Sequence, residues 1–285
     1  MSDTEYKKVD LHCHSTFSDG SLTPTEVIQR AHENGVDLLA LTDHDSIDGV
    51  KTLWEQRAEL PLTLIPAVEI SSSWLGKDIH IVGLNVDLTD ENLSKFLAEQ
   101  LRKRQQRGLL LIEKFENRLK IKDVAKKLKE HAKGAIICRS HFAQLLVDEG
   151  QAVDFRRAFE RFLAKGKIAA VKSDWPDIRK VVEVINAAGG VATIAHPSRY
   201  KLSNSKLYEL IEYFANCGGK AIELSYPGIK PQKQRQMTRV AKEFELLASK
   251  GSDFHHPHQV WANLGKVPQL PVDIEPVWNM FVINQ

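Results

Sequence analysis

The sequence predicts an α/β barrel interrupted by an all-helical insertion, and three observations lead there. Short apolar runs alternate with helix-like runs over residues 1–89 and again over 167–285. Such alternation builds a parallel sheet with crossover helices. Over 90–166 the strand signal disappears and helical periodicity takes its place. Finally, imidazoles and carboxylates recur where strands should end. They begin in Asp10-Leu11-His12-Cys13-His14, continue through Asp19, His44, Glu69, His80 and His141, and close in Gly251-Ser252-Asp253-Phe254-His255. A barrel gathers its strand ends at one rim, so residues far apart in the chain converge there.

The elements follow in order. Val9 to Leu11 is a short apolar strand ending at the first histidine pair. Thr23-Pro24-Thr25-Glu26 opens a helix: Thr23 caps it, Pro24 suits its first position and Glu26 completes a capping box. Val27, Ile28 and Ala31 face inward, and Asn34-Gly35 stops the helix. Val36 to Leu41 is a buried-type strand leading to Thr42-Asp43-His44-Asp45. After another helix, Leu62 to Glu69 is a strand with Glu69 at its end. His80 to Leu84 is the next strand, with His80 at its start, the one departure from the rim pattern. In the insertion, Leu97, Leu101, Leu109, Leu110, Ile112 and Phe115 belong to one long amphipathic helix, and Leu145, Leu146, Phe155, Phe159 and Phe162 mark others. Alternation then resumes: a helix from Pro176 to Ala188, a strand from Val191 to Ala195 before His196-Pro197, and a helix from Lys206 to Asn216. Strands from Ala221 to Leu224 and from Glu245 to Ser249 complete the order. The tail after about Gln259, with Trp261, Trp278 and Phe281, is apolar enough to pack on the barrel.

The length of 285 residues suits one large α/β barrel or two modest domains. No apolar run reaches the length of a membrane span, and Met1 to Lys8 lacks the apolar core of a signal peptide. Cys13, Cys138 and Cys217 form neither a paired metal spacing nor an even disulfide framework, which fits a reducing compartment. A cytoplasmic protein with no membrane attachment is expected. Cys13, on an extended segment, points away from His12 and His14 and is expected to be a packed thiol. The net charge of +2 excludes nucleic-acid binding by bulk charge alone. Residues 102–133 nevertheless hold twelve Lys or Arg against four Asp or Glu. That excess is either a solvated helix face or a phosphate-contact surface.

The chemistry-bearing residues are informative jointly. His12 and His14, two apart on an extended segment, project to one side and can share a metal. Asp19 precedes Gly20 in a turn. Glu69 ends an apolar strand, where an unpaired carboxylate would be costly to bury. The donors are oxygen and nitrogen only, which allows Mn²⁺, Zn²⁺ or Fe²⁺ and disfavours a cysteine-rich structural zinc site. Such a centre generates hydroxide at neutral pH and clamps a phosphate.

These motifs, together with Ser140-His141 and His196-Pro197, recur in order from about residue 8 to about residue 258. In this the chain resembles the PHP (polymerase and histidinol phosphatase) family. The resemblance implies a distorted (β/α)7 barrel and up to three divalent ions, manganese first, with zinc or iron as alternatives. By motif it implies that His12, His14, Glu69 and Asp253 hold the first ion. Glu69 would bridge to a second with His80 and His141, and Asp19, His44 and His255 would hold a third. His196 is expected beside the site, contacting substrate or ligands.

Within the family, the resemblance is greatest to stand-alone bacterial members with a helical insertion before the Ser-His motif, a group of 3′,5′-nucleoside bisphosphate phosphatases and 5′-to-3′ exoribonucleases. The implied reaction is attack of a metal-bound hydroxide on phosphorus. The substrate would be a small nucleotide or short RNA, and a monomer without an obligate protein partner is expected. Arg139 and Arg199, each beside a motif residue, are the expected phosphate clamp. His196 or a bound water would protonate the leaving group. An RNA would lie along Arg102, Lys103, Arg104, Arg107 and Lys114. Histidinol-phosphate phosphatase is the rival activity. A non-catalytic, metal-stabilised scaffold is the rival of another class, disfavoured because every ligand position carries a competent side chain.

Overall fold

The structure, a computed structural model, describes residues 6–132 and 136–281. Met1 to Glu5, part of the leader expectation, and Lys133, one of the basic run, lie outside the described residues.

Seven strands form one sheet in chain order: β1 (Val9–Asp10), β2 (Leu38–Leu41), β3 (Thr63–Trp74), β4 (Lys77–Leu84), β5 (Val191–Ile194), β6 (Ala221–Ser225) and β7 (Leu247–Lys250). The segments beyond β1 and β7 bring the sheet nearly to closure. Leu11 N donates to Lys250 O at 2.9 Å, Asp253 N to His12 O at 2.8 Å and His14 N to Phe254 O at 2.9 Å. The result is a distorted seven-stranded barrel with helices around it.

The sheet is not wholly parallel, which corrects the sequence expectation. β4 runs antiparallel to both β3 and β5. Leu75 and Gly76, with φ of 47° and 69°, join β3 to β4 directly. Positive φ at both central residues is the type I′ geometry of a tight hairpin, which leaves no room for a crossover helix. β3 also continues past Glu69 to Trp74, so Glu69 lies within a strand rather than at its end.

Outside the sheet lie α1 (Pro24–Glu33) and α2 (Asp48–Trp54), and α1 carries the expected capping box. Alternate strand residues fill the barrel, among them Val9, Leu11, Leu38, Ala40, Ile65, Ala67, Val82 and Leu84. Val277 and Phe281 of the tail join this interior cluster and Trp278 packs on it, whereas Trp261 is 60% exposed.

The inserted segment contains α3 (Glu91–Arg118), α4 (Val124–Ala132), α5 (Arg139–Asp148) and α6 (Phe155–Ala158), the last running into a π turn at Phe159–Leu163. Asp90 caps α3 by accepting from Leu93 N at 2.6 Å. The helix joins two cores. Leu93 and Leu97 pack in the barrel's outer layer. Leu111 and Phe115 pack with Leu128, Phe142, Leu146 and Phe162 in a separate cluster. The buried stripe runs Leu93, Leu97, Gln100, Arg104, Gly108, Leu111, Phe115. Leu109 and Leu110, expected on the apolar face, are instead 67% and 51% exposed.

After the insertion come α7 (Ile178–Ala187), α8 (Asn204–Asn216) and α9 (Pro231–Glu243). The sequence reading does not name α9. Its polar sequence buries only Met237, Thr238 and Ala241, too short an apolar stripe to stand out. Among the described residues no helix is long and apolar enough to cross a membrane.

Candidate metal centre

The chain beyond β1 places His12 and His14 side by side, both fully buried. Buried carboxylates anchor the surrounding loops. Asp43 accepts from Ser15 N at 2.8 Å, Ser15 Oγ at 2.6 Å and Ser18 Oγ at 2.6 Å. Asp10 accepts from Ser252 N and Gly265 N, both at 2.8 Å, tying the last motif to the first strand. Cys13 faces away from the histidines, its Sγ 3.3 Å from Ala40 O, as a packed thiol should.

Glu69 is the centre of the cluster. Its Oε2 lies 3.3 Å from His12 Nε2, 3.3 Å from His14 Nε2 and 2.9 Å from His44 Nδ1. Its Oε1 lies 3.0 Å from His80 Nδ1 and 3.3 Å from His196 Nε2. Asp253 Oδ1 stands 3.5 Å and 3.3 Å from the Nε2 atoms of His12 and His14. Asp19 Oδ1 stands 3.3 Å from His255 Nε2 and 3.9 Å from His44 Nε2. Asp45, His196 and Asp253 at this pocket adopt positive φ.

Among the described residues, four sets of donor atoms are compact enough to hold a cation, each with its atoms within 4.8 Å of one another. They are His12, His14 and Asp253; His12, Glu69 and His196; His44, Glu69 and His80; and His14, Asp19, His44 and His255. The donor chemistry fits a divalent ion. His12 Nε2, His14 Nε2, His44 Nδ1, Asp19 Oδ1 and Glu69 Oε2 are buried without a hydrogen bond. Such groups are costly to leave unmatched, and a cation would satisfy all of them.

The electrostatics differ from one imidazole to the next. Burial, reinforced by the neighbouring His255, pushes His14 down to about 3 and leaves a neutral imidazole with a free lone pair. Burial also opposes charge on His255, but the Asp19 carboxylate overcomes it and holds His255 up at about 10. Burial alone would raise Glu69; the imidazoles of His12, His44 and His80 bring it well below the usual carboxylate range.

Not every expected residue joins these sets. The geometry groups His80 with His44 and Glu69, where His141 was expected. His141 sits at the start of α5, and its Nδ1 accepts from Cys138 N at 2.9 Å. His196, expected beside the site, stands inside a donor set. Arg199 is bonded to Asp253 Oδ2, and its guanidinium lies 5.3 Å from the Tyr226 ring centre. Arg139 Nη2 lies 3.3 Å from Asp78 Oδ2.

The five basic residues of the expected RNA track all have partners within the protein, which narrows that track. Arg104 is buried against Asp45, Arg107 shares Asp78 at 3.5 Å, Arg102 pairs with Glu99, and Lys114 bonds Ala170 O. Lys103 Nζ donates to Asp174 O at 3.0 Å.

Sequence reasoning missed Glu223. Its Oε1 lies 2.6 Å from His12 Nδ1 and its Oε2 accepts from His196 N at 2.6 Å. It therefore fixes which His12 nitrogen faces the cluster. The signal was present, a carboxylate inside the apolar run Ala221-Ile222-Glu223-Leu224, the same feature that singled out Glu69. Glu223→Gln should weaken divalent-metal affinity by about 10–100-fold, measured by calorimetry; an unchanged isotherm would remove Glu223 from this role. Gly251 has a steric part. A Cβ there would lie 2.2 Å from His12 Cβ and 2.8 Å from His12 N. Gly251→Ala should displace His12, cost about 1–3 kcal/mol and lower activity by more than that destabilisation explains. A melting curve and a rate on the same preparation decide it.

Known proteins resemble the chain over nearly its whole length. It is 40% identical over 284 residues to the 5′-3′ exoribonuclease Rnm of Escherichia coli, covering 99% of this chain and 96% of that one. It is 35% identical over 279 residues to the 3′,5′-nucleoside bisphosphate phosphatase of Chromobacterium violaceum, covering 95% of each. The crystal structure of an amidohydrolase from the same organism, with bound sulfate and no metal, superposes with a TM-score of 0.89 at 35% identity, covering 95% of each chain. The PHP domain model matches residues 10–225, and the chain belongs to the PHP family.

Proposed function

We propose that the protein is a metal-dependent phosphoesterase. It would remove the 5′ phosphate of 3′,5′-nucleoside bisphosphates and 5′ nucleotides from short RNA. The observation that carries this is the buried set of unmatched donors around Glu69, in a chain 40% identical to a 5′-3′ exoribonuclease and 35% identical to a 3′,5′-nucleoside bisphosphate phosphatase. We assign His12, His14, Asp19, His44, Glu69, His80, Asp253 and His255 to the cations, with His141 completing the set from α5. Up to three divalent ions would be held, manganese first, zinc or iron as alternatives. Bound there, such ions supply Lewis-acid stabilisation of a phosphoryl group and lower the pKa of water to give a nucleophile.

The chain's own residues do the rest. Glu223 holds the His12 ring and the His196 backbone. Arg199 keeps one oxygen of Asp253 occupied and leaves Oδ1 facing the histidines. Arg107 and Arg139 share the single carboxylate of Asp78, so positive charge is left to meet a phosphate oxygen. His196, beside Glu69, holds or passes a proton at the leaving oxygen. The barrel over 1–89 and 167–285 carries the donors, and the insertion over 90–166 brings Arg139 and His141 to them. The free cysteines fit a reducing compartment such as the cytoplasm.

Purified protein assayed with manganese on adenosine 3′,5′-bisphosphate, 5′-phosphorylated oligoribonucleotide and histidinol phosphate tests the substrate. The nucleotide and RNA should dominate. Preferential turnover of histidinol phosphate would overturn the assignment, and no turnover of any of them would favour a scaffold.

A further inference from the structure

The inserted helices reach into the metal centre at two points, and both act on the set formed by His14, Asp19, His44 and His255. The first is Ser140, at the start of α5. Its Oγ donates to Asp19 Oδ2 at 2.7 Å. That contact occupies one carboxylate oxygen and leaves the other, Oδ1, buried without a hydrogen bond and turned toward His255 and His44.

The second is Arg104, where α3 passes from one core to the other. Its Nε and Nη2 donate to Asp45 Oδ2 at 3.1 and 2.5 Å, and Nη2 also donates to Ser71 Oγ at 2.8 Å. Asp45 follows His44 directly and has a φ of 54°. It also accepts from Ser71 N at 2.7 Å, and its backbone N donates to Glu69 O at 2.8 Å. Arg104 thus clamps the turn carrying His44 onto β3. From the same position Nη1 reaches Cys138 Sγ at 3.4 Å, two residues before Ser140.

We propose that Ser140 and Arg104 are positioning residues for this donor set, and Arg104 also for the set of His44, Glu69 and His80 that shares His44, so that these cations are held tightly only while the insertion is docked on the barrel. The inference rests on the reading of the cluster as a metal centre. Neither residue donates to the ion. Ser140 sets the Asp19 carboxylate and Arg104 sets the His44 turn. The set of His12, His14 and Asp253 receives no contact from either residue and should keep its affinity. A ligand that shifts α3 or α5 would change occupancy of the sets containing Asp19 or His44 and spare the set of His12, His14 and Asp253.

The test uses full-length protein stripped of metal and dialysed against graded manganese, with bound ion counted by elemental analysis. Wild type, Ser140→Ala, Arg104→Lys and the insertion-surface control Lys127→Ala are compared, and each is melted by circular dichroism. Ser140→Ala should weaken one equivalent by about tenfold or more, and Arg104→Lys that equivalent together with the one that shares His44, within the range for residues that orient ligands. The remaining equivalents and the cooperative melt should persist, and Lys127→Ala should match wild type. Wild-type binding with unchanged isotherms in both variants would overturn the proposal alone. Loss of every equivalent together with the cooperative melt would also count against selective positioning. A wild-type protein that binds no manganese would overturn the metal-centre reading itself.

Discussion

Replacing Glu69 with alanine lowers kcat/KM for phosphoester hydrolysis by about a thousandfold or more. The magnitude follows from the several kcal/mol that metal-centred charge stabilisation contributes, at about 1.4 kcal/mol per factor of ten. Glu69 carries the largest effect because its two oxygens face His12, His14, His44, His80 and His196 at once. Without it two of the four donor sets lose their carboxylate. The imidazoles that remain lose the anionic donor they all face, so metal content should fall with activity. Glu69→Gln keeps the volume and removes only the charge, which separates the electrostatic role from packing. Phosphate release and elemental analysis on the same samples check it. Wild-type turnover with full metal content in either variant would remove Glu69 from the centre.

Asp45→Ala destabilises the fold by about 3–5 kcal/mol, the usual cost of breaking a buried ion pair by deleting one partner. Asp45 is fully buried and takes donors from Arg104, Ser71 N and Ser71 Oγ. Burial would raise its pKa, but Arg104 holds it below the usual carboxylate range. Alanine there strands the guanidinium where water cannot solvate it. A melting temperature lower by on the order of 10 °C is expected. The double variant Asp45→Ala, Arg104→Met removes both charges and should recover much of the loss. Equal losses in the single and double variants would show that the ion pair is not the source.

The order of the barrel is legible because His12, His44, Glu69 and Asp253 stand at or just past apolar runs, and runs of that kind become strands. His80 shows where this reading stopped. It was the exception, at a strand start, because a parallel sheet was assumed. In the structure β4 runs backward, so its early residues pair with the late residues of β3, Ser71 opposite His80. The exception therefore lies at the same rim, and the hairpin at Leu75-Gly76 was the missed signal. The basic run shows a different limit. Composition counts charges but not their partners, and Arg104 and Arg107 face carboxylates that arrive from β2 and β4. Glu223 was missed for a third reason. In sequence it shows only as a carboxylate inside an apolar run, without the His-containing motif that accompanies the other donors, and the 2.6 Å contact to His12 supplies its role.

We propose that the buried donors around Glu69 hold the ions on which phosphoester hydrolysis depends. The most direct measurement is a titration of chelated, metal-free protein with manganese, following bound ion and phosphate release from adenosine 3′,5′-bisphosphate together. Release should be absent at the start, rise as the donor sets fill, and fail to rise in Glu69→Ala. Undiminished release from protein that carries no bound ion would contradict the account.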